Sequence, residues 1–68
     1  MITKFMTLTT ASDIRQWASD ITEGWMGDVD ANTDAMAHAI SELMPGWGCT
    51  KADLDWEAVE RRAYEILG

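Results

Sequence analysis

The sequence predicts an all-α fold: a single compact three-helix bundle with a short extended arm at its N-terminus. Three observations predict it. Apolar residues recur at helical spacing in three separate stretches. Each stretch opens near a Thr, Asp or Asn able to cap a helix. Glycines, with Pro45, punctuate the intervals between them. The middle stretch, Asp34 to Met44, organises the others. Met36, Ala39, Ile40, Leu43 and Met44 make one apolar stripe there, with His38, Ser41 and Glu42 opposite. Ala35, Ala37 and Ala39 are small, so flanking helices can approach closely and bring tryptophans with them: Trp17 and Trp25 from one side, Trp47 and Trp56 from the other.

The arm covers residues 1–9. Ile2, Lys4, Met6 and Leu8 alternate with Thr3, Phe5, Thr7 and Thr9, and neither face is cleanly polar. Fraying is expected at residues 1–3. Phe5 and Leu8 are placed to dock on the bundle. A lone strand is expected to find no partner within the chain, which leaves a second copy or another protein to pair with it.

The first helix is read over residues 11–23. Thr10 caps it, and Asp13 reaches back as in a capping box. Ile14, Trp17, Ala18 and Ile21 then form the buried stripe. Gly24 is the expected C′ residue, with Trp25 and Met26 folding over the helix end. The second helix is read over residues 33–44, capped by Asn32 or Asp30. Met44 precedes Pro45, which disfavours helical backbone. Pro45-Gly46-Trp47-Gly48 is a turn that carries an aromatic. Residues 50–53 form a short turn. The third helix then runs over residues 55–67 with Asp55 as N-cap, Leu54 and Val59 at the positions of a hydrophobic staple, and Trp56, Val59, Ala63, Ile66 and Leu67 on one face. Glu57, Arg61 and Glu65 are spaced as an i, i+4 ladder on the outside.

Size and charge restrict function. A chain of 68 residues is one domain, and such a domain buries only about 60% of its unfolded surface. Cys49 is the only cysteine, so neither a disulfide framework nor a four-ligand zinc site is available. Four tryptophans substitute for a larger core. The 12 acids and 5 bases give a net charge of −7. That charge repels nucleic acid and anionic membranes and favours basic protein surfaces. No apolar run reaches the length of a membrane span. The threonines around Lys4 argue against a signal peptide. A lone cysteine fits the cytoplasm.

Four constellations invite chemistry. Asp28, Asp30, Asn32 and Asp34 begin like an EF-hand loop, but Thr33 stands where glycine is required and Ala39 where the bidentate glutamate is required. Helix capping accounts for them. Asp34, His38 and Glu42 line one helix face as a solvated ladder, with at most a weak metal site. Cys49 and His38 belong to no nucleophile motif. A helix-turn-helix DNA reader needs a basic recognition helix, whereas the third helix opens on Asp53, Asp55, Glu57 and Glu60. The sequence therefore predicts no enzyme, no cofactor, no metal and no direct contact with nucleic acid.

The expected activity is binding to another protein. Its expected acidic contact residues are Asp20, Glu23, Asp28, Asp30, Asp53, Asp55, Glu57 and Glu60. Carboxylates one helical turn apart approach the spacing of phosphates along a strand, so they can occupy a basic groove built for nucleic acid. In size and charge alone the chain is similar to small phage-encoded inhibitors of host nucleases and CRISPR effector complexes. What that likeness implies is a DNA mimic or anti-CRISPR inhibitor with a basic partner. The alternative is a helical adaptor or a homodimer that binds through exposed Trp25 and Trp47 and the arm.

Overall fold

Helix α2 spans Val29–Leu43 and lies between α1 (Ala11–Ile21) and α3 (Trp56–Leu67). The computed structural model describes residues 7–68. The expectations for residues 1–6, the docking of Phe5 among them, fall outside the described residues. The fold is the three-helix bundle that the sequence predicts, and α1 and α3 each pack on α2 rather than on one another. Small side chains allow this, since Ala35 and Ala39 are buried beside Met36 and Ile40. Two aromatic pairs reach α3, one from Trp17 on α1 and one from Trp25, just past the end of α1. Trp17 meets Trp56 with ring centroids 6.2 Å apart, and Trp25 stacks on Tyr64 at 4.7 Å. Residues 17 and 25 thus meet 56 and 64 in the same order. The outer helices therefore run in the same sense, and α2 returns between them.

The core follows the apolar stripes. Trp17, Leu8, Met36, Ile40 and Val59 are the largest fully buried side chains, and each aliphatic one contributes about 1.5–3 kcal/mol through burial. Lys51 Nζ lies 5.5 Å from the Trp17 ring centre, close enough for a cation–π contact. Trp56 anchors its indole N–H on the Lys51 carbonyl at 2.8 Å. Leu43, Ile66 and Leu67, expected inside, are each partly exposed, because each lies at the last turn of its helix, where no neighbour covers it.

The caps explain where the helices begin. Thr10 and Asp13 form the expected capping box. Asp13 Oδ2 accepts from Thr10 N at 3.0 Å, and also from Thr9 N at 2.9 Å and Thr9 Oγ1 at 2.6 Å. These bonds, chiefly that from the Thr9 hydroxyl, hold the Asp13 carboxyl below the usual aspartate range. Asp55 caps α3 as expected, accepting from Ala58 N, and Leu54 and Val59 are both buried at the staple positions. The turn before it is a single 3-10 turn, Lys51–Asp53. Asp53 Oδ2 accepts from Thr50 N there at 2.8 Å.

Three boundaries and contacts differ from the sequence reading. Helix α2 starts at Val29 rather than at residue 33, because Asp28 Oδ1 takes the free N–H groups of Asp30 and Ala31. Helix α1 stops at Ile21 rather than at residue 23. Thr22 ends it, with its Oγ1 donating to Ala18 O at 2.8 Å. Gly24 does not adopt the left-handed conformation of a C′ glycine; among the described glycines only Gly27, Gly48 and Gly68 have positive φ. Lastly, Thr7 and Leu8, which the sequence reading leaves without a partner in the chain, do pair within it. Thr7 makes an antiparallel bridge to Thr50. Leu8 N donates to Cys49 O at 3.0 Å, and Gly48 N donates to Leu8 O. Gly48, at φ 87°, turns the chain so that this pairing can form. Leu8 is fully buried as a result.

Candidate interaction surface

Cys49 is buried in the core, while His38 sits exposed on α2. The residues of the would-be calcium loop lie on a helix instead. Asp28 caps α2, Asn32 and Thr33 face inward, and Asp34 pairs with Arg15 at 2.8 Å. Successive alternate positions on a helix lie about 200° apart, so their side chains diverge rather than converge. Among the described residues, no three His, Cys, Asp or Glu side chains gather as metal ligands. Also among them, no helix is long and apolar enough to cross a membrane.

Arginines consume the carboxylates of the α2 ladder. Arg62 reaches from α3 to Glu42 through Nε at 2.8 Å and Nη2 at 3.3 Å, and its Nη1 meets Glu65 at 3.3 Å. Hydrogen bonding to Arg62 holds Glu42 below the usual glutamate range, and the same bond raises Arg62. Glu65 of the expected Glu57–Arg61–Glu65 ladder meets Arg62 instead, and the same arginine reaches Glu42 on α2. The groove between α1 and α2, lined by Ile14, Ala37 and His38 among others, therefore has its charges already paired.

The remaining acids are different. Asp20, Glu23, Asp28, Asp30, Asp53, Asp55, Glu57 and Glu60 are all exposed. None of them forms an ion pair among the described residues. Asp20 accepts a hydrogen bond from Gln16, and Asp28, Asp53 and Asp55 act as caps. The fold does not gather all eight into one patch. Asp53, Asp55 and Glu57 lie at the end of the bundle marked by Trp56. Glu23, Asp28 and Asp30 lie at the end marked by Trp25 and Tyr64. The eight residues of α3 between those landmarks span about 12 Å.

The Trp25 end also carries exposed apolar surface. Met26 is 92% exposed, Val29 is 70% exposed, and Tyr64 is 56% exposed even with Trp25 stacked on it. Met26, expected to fold over the helix end, projects into solvent. Trp25 is only half-buried and contributes to this surface. An open groove of about 420 Å³ runs here between Gly24, Trp25, Met26, Asn32, Tyr64 and Leu67. Trp47, the other aromatic candidate, is 59% exposed on its turn. The sequence reading missed Tyr64. A signal for it was present: Trp17 and Trp25 are eight residues apart, as are Trp56 and Tyr64, although Trp25 lies beyond the end of α1.

No family model, curated protein or solved structure matches the chain, so the functional reading rests on residues and geometry.

Proposed function

We propose that this protein is a non-enzymatic binding module that meets a basic protein partner through the end of the bundle where Trp25 stacks on Tyr64. One observation carries the reading: exposed apolar side chains, Met26, Val29 and Tyr64, sit among Glu23, Asp28 and Asp30, acids with no ion-pair partner among the described residues. An apolar centre with a charged rim is how protein interfaces are built. Its charge selects a partner whose rim is basic. The sharper form of the proposal is inhibition, in which the acids occupy a groove that otherwise holds nucleic-acid phosphates on a nuclease or CRISPR effector. Exposed Trp47 favours a second reading, an adaptor or homodimer with an apolar contact at that turn.

The test compares partner capture by wild type, by the neutralised variant Glu23→Gln/Asp28→Asn/Asp30→Asn, and by Trp47→Ala. Asn is as good an N-cap as Asp, so the neutralised protein keeps its fold. The proposal expects a basic partner that wild type and Trp47→Ala hold at low salt, release as salt rises, and that the neutralised variant fails to hold. Capture that survives neutralisation and disappears with Trp47→Ala supports the second reading instead.

A further inference from the structure

We propose that the groove beside the Trp25–Tyr64 stack is a receptor for an arginine side chain of the partner. This rests on the reading above and names the residue that the surface recognises. Three features of the groove suit a guanidinium. The first is its aromatic wall. Tyr64 leans one face on Trp25 and remains more than half exposed, and a planar cation stacks well on such a ring.

The second feature is Asn32. It is 5% exposed, yet it lines the groove. Its Nδ2 donates to the Met26 carbonyl at 2.9 Å. A carbonyl accepts only from the nitrogen, so this bond fixes which way the amide faces. Oδ1 then has no hydrogen bond among the described residues. No fully buried side-chain polar atom among them lacks a partner, so Oδ1 must touch solvent, and the groove is where Asn32 meets it. An acceptor held this firmly in the groove calls for a donor. Guanidinium offers five donors and no acceptor.

The third feature is charge. Glu23 directly precedes Gly24, and Asp28, the cap of α2, lies two residues after Met26, so carboxylates flank in sequence the segment that lines the groove. A lysine supplies the charge without the plane. Citrulline supplies the plane and the donors without the charge. Norleucine supplies neither, and it would leave Asn32 Oδ1 desolvated and unmet.

These differences define the test. The full chain, labelled with ¹⁵N, is titrated with a short capped peptide carrying one arginine between two leucines, and with lysine, citrulline and norleucine versions. The arginine peptide is expected to shift the Trp25 indole and Asn32 side-chain amide signals, and to bind roughly tenfold more tightly than the citrulline peptide. It is also expected to bind more tightly than the lysine peptide. Gly24→Leu provides the blocking variant. A Cβ at Gly24 meets nothing within 4 Å, and its φ is not positive. Gly24 lines the groove, so a leucine there adds bulk at its wall without disturbing the core, and binding should be lost at an unchanged unfolding midpoint. Equal binding of the lysine, citrulline or norleucine peptide overturns the proposal, as do shifts that bypass Trp25 and Asn32 or binding that survives Gly24→Leu. The underlying reading fails separately, if the captured basic partner itself leaves the Trp25 end unperturbed.

Discussion

Leu8→Ala is the substitution that best probes how the chain closes its core. Leu8 lies in the stretch that the sequence presents as an arm, and its side chain is nevertheless fully buried. The substitution removes the equivalent of three carbon groups, about 2.4 kcal/mol of transfer free energy at ~0.8 kcal/mol each. A cavity term adds to this, because the site is held by the backbone bonds of Leu8 to Cys49 and Gly48 and cannot collapse freely. The expected loss is therefore about 2.5–4 kcal/mol, within the ordinary range for Leu→Ala in a core. A 68-residue domain has a total stability of roughly 3–10 kcal/mol, so the substitution should remove a quarter or more of it and lower the urea midpoint in proportion. Urea titration followed by circular dichroism and by tryptophan fluorescence measures this. Val29→Ala, at an exposed position, serves as a control and should shift stability by less than about 0.5 kcal/mol. A Leu8→Ala loss below about 1 kcal/mol, with an unchanged m-value, would refute the claim that Leu8 is part of the core.

Three further outcomes follow from local geometry. Asp13 has a lowered pKa in the folded state, so its capping contribution is complete above the unfolded aspartate pKa near 4 and is lost as pH falls through the folded value. Urea midpoints should thus show wild type ahead of Asp13→Asn at pH 6, with the gap closing toward pH 2. Gly48→Ala should cost about 1–2 kcal/mol, because φ there is 87° and an L-residue resists that conformation; Gly24→Ala, without that constraint, should be neutral in the same titration. Cys49 is 7% exposed, so its thiol should react with a disulfide reagent far more slowly in the native protein than in urea.

Much of the fold was legible because each helix start obeys a local rule. Thr10 with Asp13, and Asp55 with the Leu54–Val59 staple, are short-range patterns that tertiary structure left intact. The start of α2 was not legible for an equally local reason. Asp28, Asp30, Asn32 and Asp34 are all competent caps, and sequence alone does not rank them. The first one prevailed, which placed Asn32 and Thr33 on the buried side of the helix. Their polarity hides the apolar period there, and they are tolerated inside because Asn32 bonds the Met26 carbonyl and Thr33 lies 3.5 Å from the Thr22 hydroxyl. The end of α1 was misread because Gly24 is a familiar stop, whereas Thr22 ends the helix with its own side chain. For the candidate surface, the acids were visible as composition, but which of them stay unpaired depends on Arg15 and Arg62 reaching across helices. Trp25 was visible; its partner Tyr64, 39 positions further along, was not, because stacking of a loop ring on a distant helix leaves no short-range trace beyond the shared eight-residue spacing.

The most direct test of the central claim is a chemical-shift map of the ¹⁵N-labelled protein bound to its captured partner, recorded at low and at high salt. The account predicts perturbations concentrated at residues 23–32 and 64–67 that fade as salt rises. Perturbations centred on residues 43–48 around Trp47 and unchanged by salt would contradict it.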